Sequence, residues 1–160
     1  MNISRTFALG SLLLIAGSLF GQRNSNSIEA NKKIVFDFYR NVWEPKDDQA
    51  LMKWLPDSYV EHNPMFPAGR ADLASLLKTR RTGPPPKVAD KLSDPPELIV
   101  AEGDLVTWIF KRSSKDPKDS SKTYDSFWFD TFRIKDGKIV EHWDVIQPVP
   151  EKSANTNTMF

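Results

Sequence analysis

Near the C-terminus two runs of alternating side chains, residues 123–134 and 138–147, are separated by Lys135-Asp136-Gly137. No other feature restricts the fold as tightly. Neighbouring side chains on a strand point to opposite faces, so the pair reads as an antiparallel hairpin whose turn decides which residues share a face. Trp128, Asp130, Phe132 and Ile134 lie together on the first strand, and Val140, His142, Asp144 and Ile146 on the second. A two-residue Asp136-Gly137 turn would set Asp130 beside Trp143 and part it from Asp144. A three-residue loop with Gly137 left-handed would oppose Asp130 to His142 and Trp128 to Asp144. The three-residue loop is the expectation, because it gathers Phe132, Ile134, Val140 and Ile146 on one inward side. Thr131, Arg133 and Glu141 then face outward, and Phe129, Trp143 and Val145 form a flat apolar band suited to a second subunit.

The hairpin needs a second layer, and the preceding chain supplies one. Residues 27–43 carry Ile28, Val35, Phe38 and Val42 on one helical face. Residues 46–55 read as a shorter helix, capped by Asp47 or Asp48 and stopped by Pro56. The run 58–63, SYVEHN, reads as a short strand ended by Pro64. A third helix runs from Gly69-Arg70 to about Arg81, with Leu73, Ala74, Leu76 and Leu77 on its apolar side. Residues 82–96 hold five of the 12 prolines and read as an extended surface crossing, with room for a short edge strand near 87–92. Strands at 97–101 and 105–111 flank Glu102-Gly103-Asp104, and 112–122 reads as a polar, solvated hairpin loop. Helices followed by a mostly antiparallel meander give an α+β class, with three helices covering one face of the sheet. A sheet curled around them encloses a cavity, and its other face needs solvent or a second subunit.

The ends of the chain are read separately. Arg5 precedes an apolar run over residues 7–20 with small residues at its end, the pattern of a secretory signal over residues 1–22, cut after Ser18 or Gly21. The run is short for a membrane span. The expectation is a secreted or periplasmic domain over residues 23–150, with no stable membrane association after cleavage, and a polar tail over 151–160. The chain has no cysteine, which excludes disulfides, thiol catalysis and thiolate metal sites. A formal net charge of +1 argues against nucleic acid as a partner, since phosphate binding needs a basic surface.

On the chosen register, Asp130, Asp144 and His142 line a cavity that is otherwise aromatic. Burial raises a carboxyl pKa and a neighbouring imidazolium lowers it, so one carboxylate can accept a proton while the other stays protonated as a donor. The same residues also fit a closed structural pair of Asp130 with His142, with Asp144 at a turn or in water. His62, at the end of SYVEHN, either borders the site or is a backbone-bonded loop histidine. Glu61 has the opposite parity and points outward. Trp128, Phe132, Phe66 and Tyr59 read as walls for a small apolar molecule. Neither a glycine-rich phosphate loop nor a nucleophile elbow occurs. The two histidines stand 80 residues apart without paired spacing, so no metal is expected.

SYVEHNP with Gly69 and the helix after it, AEGDLVTW, and FDTFRIKDGKIVEHWDVIQP together resemble the SnoaL-like branch of the nuclear transport factor 2-like superfamily over residues 28–148. The resemblance implies a cone-shaped, cystatin-like α+β roll: a curved antiparallel sheet wrapped around three N-terminal helices, with a deep apolar pocket and a homodimer. It also implies cofactor-free general acid–base chemistry of the aldol, isomerase or cyclase kind on a small apolar carbonyl compound. On that resemblance Asp144 is the acid–base position, and Asp130 stands where a cyclase of the family has histidine. Asp130, His142 or His62 would position substrate or donate to the developing enolate. A non-catalytic protein that binds a small molecule in the same pocket is the alternative.

Overall fold

The structure is a computed structural model that describes residues 27–159, so the leader expected over residues 1–22 lies outside the described residues. Residues 27–38 form α1, which continues as a wide π turn, Tyr39–Trp43. There the Glu44 N–H reaches back five residues to the Tyr39 carbonyl at 2.9 Å. Such turns are often found at functional sites, and this one begins at the tyrosine that enters the cavity described below. Val35, Phe38, Tyr39 and Val42 form the buried face of the rod. Asp47 Oδ1 accepts the N–H groups of Gln49 and Ala50, both at 3.0 Å, and closes the turn into α2, Leu51–Trp54. The helix expected over 46–55 is thus a turn and a single helical stretch. α3, Arg70–Thr79, follows Gly69, whose φ of 85° suits only glycine, and buries Leu73 and Leu77.

Five strands form one sheet: β1 Val60–Glu61, β2 Leu98–Glu102, β3 Leu105–Lys115, β4 Thr123–Lys135 and β5 Lys138–Pro148, in the order β1-β5-β4-β3-β2. β1 runs parallel to β5 and every other pair is antiparallel. The buried helix residues share one core with Val106, Trp108, Phe110, Phe132, Ile134 and Ile139 of the inner sheet face. This is the α+β arrangement, a curved sheet closed on one side by helices, that the sequence predicts.

Three local expectations are corrected. Lys135 pairs with Lys138, so the last turn has two residues, Asp136 (φ 51°) and Gly137 (φ 74°), both left-handed as a type I′ turn requires. The ladder then shifts: Ile134 faces Ile139 but Arg133 faces Glu141, leaving Val140 as the extra residue of a bulge. The bulge restores the parity that a two-residue turn alone would reverse. Asp130 therefore faces Asp144, Phe132 faces His142 and Trp128 faces Ile146, with Asp130 and His142 diagonal neighbours. Ile139, in place of Val140, is the buried residue, and Ile146 is 41% exposed. Second, β3 runs on to Lys115, so Arg112 sits in a strand and the loop is only 116–122. Third, residues 87–92 form no strand, and the proline-rich crossing is an irregular, mostly exposed strap.

Candidate active site

Between the helices and the inner face of β3–β5 lies a hollow of about 470 Å³, counting its open mouth. Strand alternation aims Trp128, Asp130 and Phe132 of β4 and His142 and Asp144 of β5 into it. Tyr59 and Phe66 complete the expected wall. Asp130, His142 and Asp144 each present one nitrogen or oxygen within 4.8 Å of the other two.

His62 is not part of this group. β1 pairs with β5 so that Glu61 stands beside His142, which puts Glu61 on the inner face and His62 on the outer one. The His62 ring lies flat on Trp143, with centroids 4.5 Å apart and planes 2° apart, and its Nε2 meets Glu141 Oε2 at 3.1 Å. The outward assignment of Glu61 is corrected by the same pairing. A short strand read without its partner carries no record of which face is inner.

Glu61 is therefore a site residue that the sequence reading missed. Its oxygens lie 2.9 and 3.1 Å from His142 Nδ1, and Oε2 also accepts the Tyr59 hydroxyl at 2.6 Å. Burial alone would raise Glu61, but the hydrogen bonds and charge of His142 hold it below the usual carboxylate range. Burial likewise opposes charge on His142, and Glu61, Asp130 and Asp144 together outweigh it and raise the imidazole. The ring's Nδ1 is spent on Glu61, leaving Nε2 for the cavity. Burial and Glu61 push the Tyr59 phenol far up, so it stays a donor.

Tyr39 is the second missed residue. Its hydroxyl donates to Asp130 Oδ2, and its ring stacks on Trp108 at 4.6 Å. A tyrosine at that helical position reads as plain core, and only the strand opposite reveals its partner. Asp130 is 5% exposed, and its Oδ1 has no partner among the described residues. Burial raises its pKa, although Tyr39, His142 and Arg112 pull the other way. Asp144 is less enclosed. Burial raises it too, countered by His142 and by the Asn63 side chain. The third missed residue, Arg112, lines the same hollow.

The arrangement holds two carboxyls with raised proton affinity, one deep and one near the mouth, beside an imidazole whose proton affinity is also raised. Such a pair can keep one proton between them and separate the roles of acid and base. Asp130, His142 and Asp144 are also close enough together to hold a cation.

A family model described as "SnoaL-like domain" matches residues 35–142. No curated protein matches the chain. Among solved structures, a nuclear transport factor 2-like protein from Burkholderia xenovorans LB400 superposes with a TM-score of 0.54 at 19% identity, over 75% of this chain and 91% of that one. A protein from Jannaschia sp. CCS1, provisionally assigned as a SnoaL-like polyketide cyclase, gives 0.53 at 16% identity over 74% and 85%. AclR from Streptomyces galilaeus, provisionally assigned as a hydroxylase, gives 0.50 at 23% over 75% and 80%. At these identities the likeness is one of fold.

Proposed function

The chain belongs to the SnoaL-like family of the nuclear transport factor 2-like superfamily, and from that premise we propose that it is a cofactor-independent general acid–base enzyme acting on a small, largely apolar carbonyl compound. The observation that carries this reading is the pairing of Asp130 with Asp144 on the inner face, with His142 beside them in one aromatic hollow. Asp144, nearer the mouth, takes the proton alpha to the carbonyl. Asp130, deeper and repelled by the Asp144 charge, keeps its proton and donates from Oδ1 to the carbonyl oxygen as enolate charge develops. The Tyr39 hydroxyl on Oδ2 fixes the orientation of that carboxyl. His142, held charged by Glu61, faces both carboxyls and offsets the negative charge of the transition state. Trp128, Phe132 and Phe66 hold the apolar body of the substrate.

Two further readings belong to the same proposal. The leader over residues 1–22 sends the domain out of the cytoplasm, and N-terminal sequencing of the exported protein should find a start after Ser18 or Gly21. The outer sheet face pairs two copies into a homodimer.

Solvent deuterium exchange alpha to the carbonyl of model cyclic ketones, followed by NMR, tests the chemistry. The wild-type protein should accelerate exchange over buffer, and Asp144→Asn should lower the rate by about a hundredfold or more with ketone binding retained. Exchange that Asp144→Asn leaves unchanged removes this residue from the mechanism. Ketone binding without any acceleration by wild type leaves a binding protein in its place.

A further inference from the structure

Arg112 stands where a polar loop was expected. β3 carries it opposite Ser126, on the inner face with Trp108 and Phe110. Its guanidinium carbon lies 4.1 Å from the centre of the Phe110 ring and 4.6 Å from that of Trp128. Its Nε donates to Asp94 Oδ2 at 2.6 Å. Asp94 is fixed in turn, because Glu44 Oε1 accepts the N–H of Ser93 at 2.8 Å, the Ser93 hydroxyl at 2.9 Å and the N–H of Asp94 at 3.1 Å. Two rings and an anchored carboxylate thus hold one guanidinium in place. The strap's irregular course delivers Asp94 to the spot, and the hydrogen bonds from Glu44 keep it there.

A fixed cation at the border of an apolar hollow has a chemical consequence. Arg112, Tyr39 and Trp43 line both the main hollow and a second one beneath the strap, so the guanidinium marks the boundary between them. Among the described residues Asp94 is its only carboxylate partner within 4.0 Å, and that contact uses Nε. Arg112 lines the main hollow together with Tyr39, Trp128 and Asp130, so the guanidinium borders the cavity. A guanidinium has five N–H donors in a planar fork that fits a carboxylate with two parallel bonds, and a fork already held in place loses little freedom on binding.

We infer that Arg112 is a specificity-determining residue, and that the cavity selects a small apolar ligand bearing a carboxylate, which the guanidinium binds while the aromatic walls take the rest. The inference rests on the carbonyl-substrate reading above and narrows it to acidic carbonyl compounds. It separates from that reading because it concerns binding alone.

The test compares two probes of nearly the same shape, 2-naphthoate and the neutral ketone 2-acetylnaphthalene, titrated by calorimetry near neutral pH. Wild type should bind the carboxylate about tenfold or more tighter than the ketone, the range of a charge-assisted hydrogen bond. Arg112→Gln should erase that preference by weakening the carboxylate alone, and retained ketone binding shows that the variant is folded. Arg112→Lys should keep part of the preference, as a point charge without the fork. Equal affinity of the two probes for wild type overturns the inference. So does an Arg112→Gln variant that loses both probes alike, since the side chain is then only a wall. Preference for the carboxylate in a protein that never exchanges ketone protons would refute the catalytic reading and leave this one standing. Failure of both probes to bind removes both readings.

Discussion

Glu61 and His142 show how one hydrogen-bonded contact reverses the effect of burial on two groups. Desolvation pushes the carboxyl up and the imidazole down, yet Glu61 is lowered and His142 raised. The lowered carboxyl contributes stability above its unfolded value of about 4.3, lost as pH falls through its folded value. The raised imidazole contributes stability below about 6.5, lost as pH rises through its own folded value. The pair is therefore fully stabilising only between those limits. Glu61→Gln should cost about 3 kcal/mol near pH 6, because it strands a buried cation, and less as pH rises and the imidazole discharges. Urea unfolding across pH would show this, and the His142 titration seen by NMR should move to lower pH. A variant whose His142 titrates as before would mean that Asp130 and Asp144 hold the charge without Glu61. At this scale the acids of the last hairpin were legible, since alternation alone groups Asp130 with its face. Glu61 was not, because its direction depends on a parallel pairing with residues 81 positions away.

The β4–β5 hairpin decides whether the site exists. The sequence reading reached the right faces through a different turn: three loop residues and a two-residue turn plus a bulge both preserve the parity between Asp130 and Asp144. What differed was the step along the ladder, and with it which residues stand directly opposite. Asp-Gly is a strong signal for the tight turn. Val140 carries no mark of a bulge, because a bulged residue need not be glycine. The Arg112 strand was lost for a related reason: RSSKDPKDSSK has the composition of a loop, and its first residues are extended only because β4 continues alongside. The turn itself makes a test at this scale. A methyl group at Gly137 would meet no atom within 4 Å, so Gly137→Ala costs only the strain of φ 74°. The expected loss is about 1 kcal/mol, seen as a lower urea midpoint with an unchanged slope. A loss several times larger would mean that turn geometry also sets the bulge, and the ketone exchange rate should then fall with it.

Across the whole sheet, Leu98, Ile109, Phe129 and Val145 stand directly opposite one another, one from each of β2 to β5, on the face away from the helices. Leu98 is 51% exposed and Val145 63%. Beside them Val100 extends the same apolar surface, also mostly uncovered. The expected band of Phe129, Trp143 and Val145 is thus modified. Trp143 is covered by the His62 ring on one flank and lies near the Arg133 guanidinium, 5.6 Å from its ring centre. The free row runs across the strands, and a second sheet can lie against it at about 10 Å. A stable contact buries about 800 Å² per partner, an extent that a four-strand face can supply. The row is also continuous with the cavity through the sheet, since Phe129 and Val145 flank Asp130 and Asp144 in sequence. Pairing two copies would therefore hold β4 and β5 rigid from behind while the helices close them in front. Val145→Lys places a charge at the most exposed point of the row, where a monomer tolerates it and a dimer does not. Sedimentation velocity should give twice the chain mass for the wild-type protein and a single chain for the variant. The variant's far-UV dichroism should be unchanged and its ketone exchange slower. A wild-type protein that sediments as one chain would mean that solvent covers this face, and a variant that still pairs would move the contact to another surface.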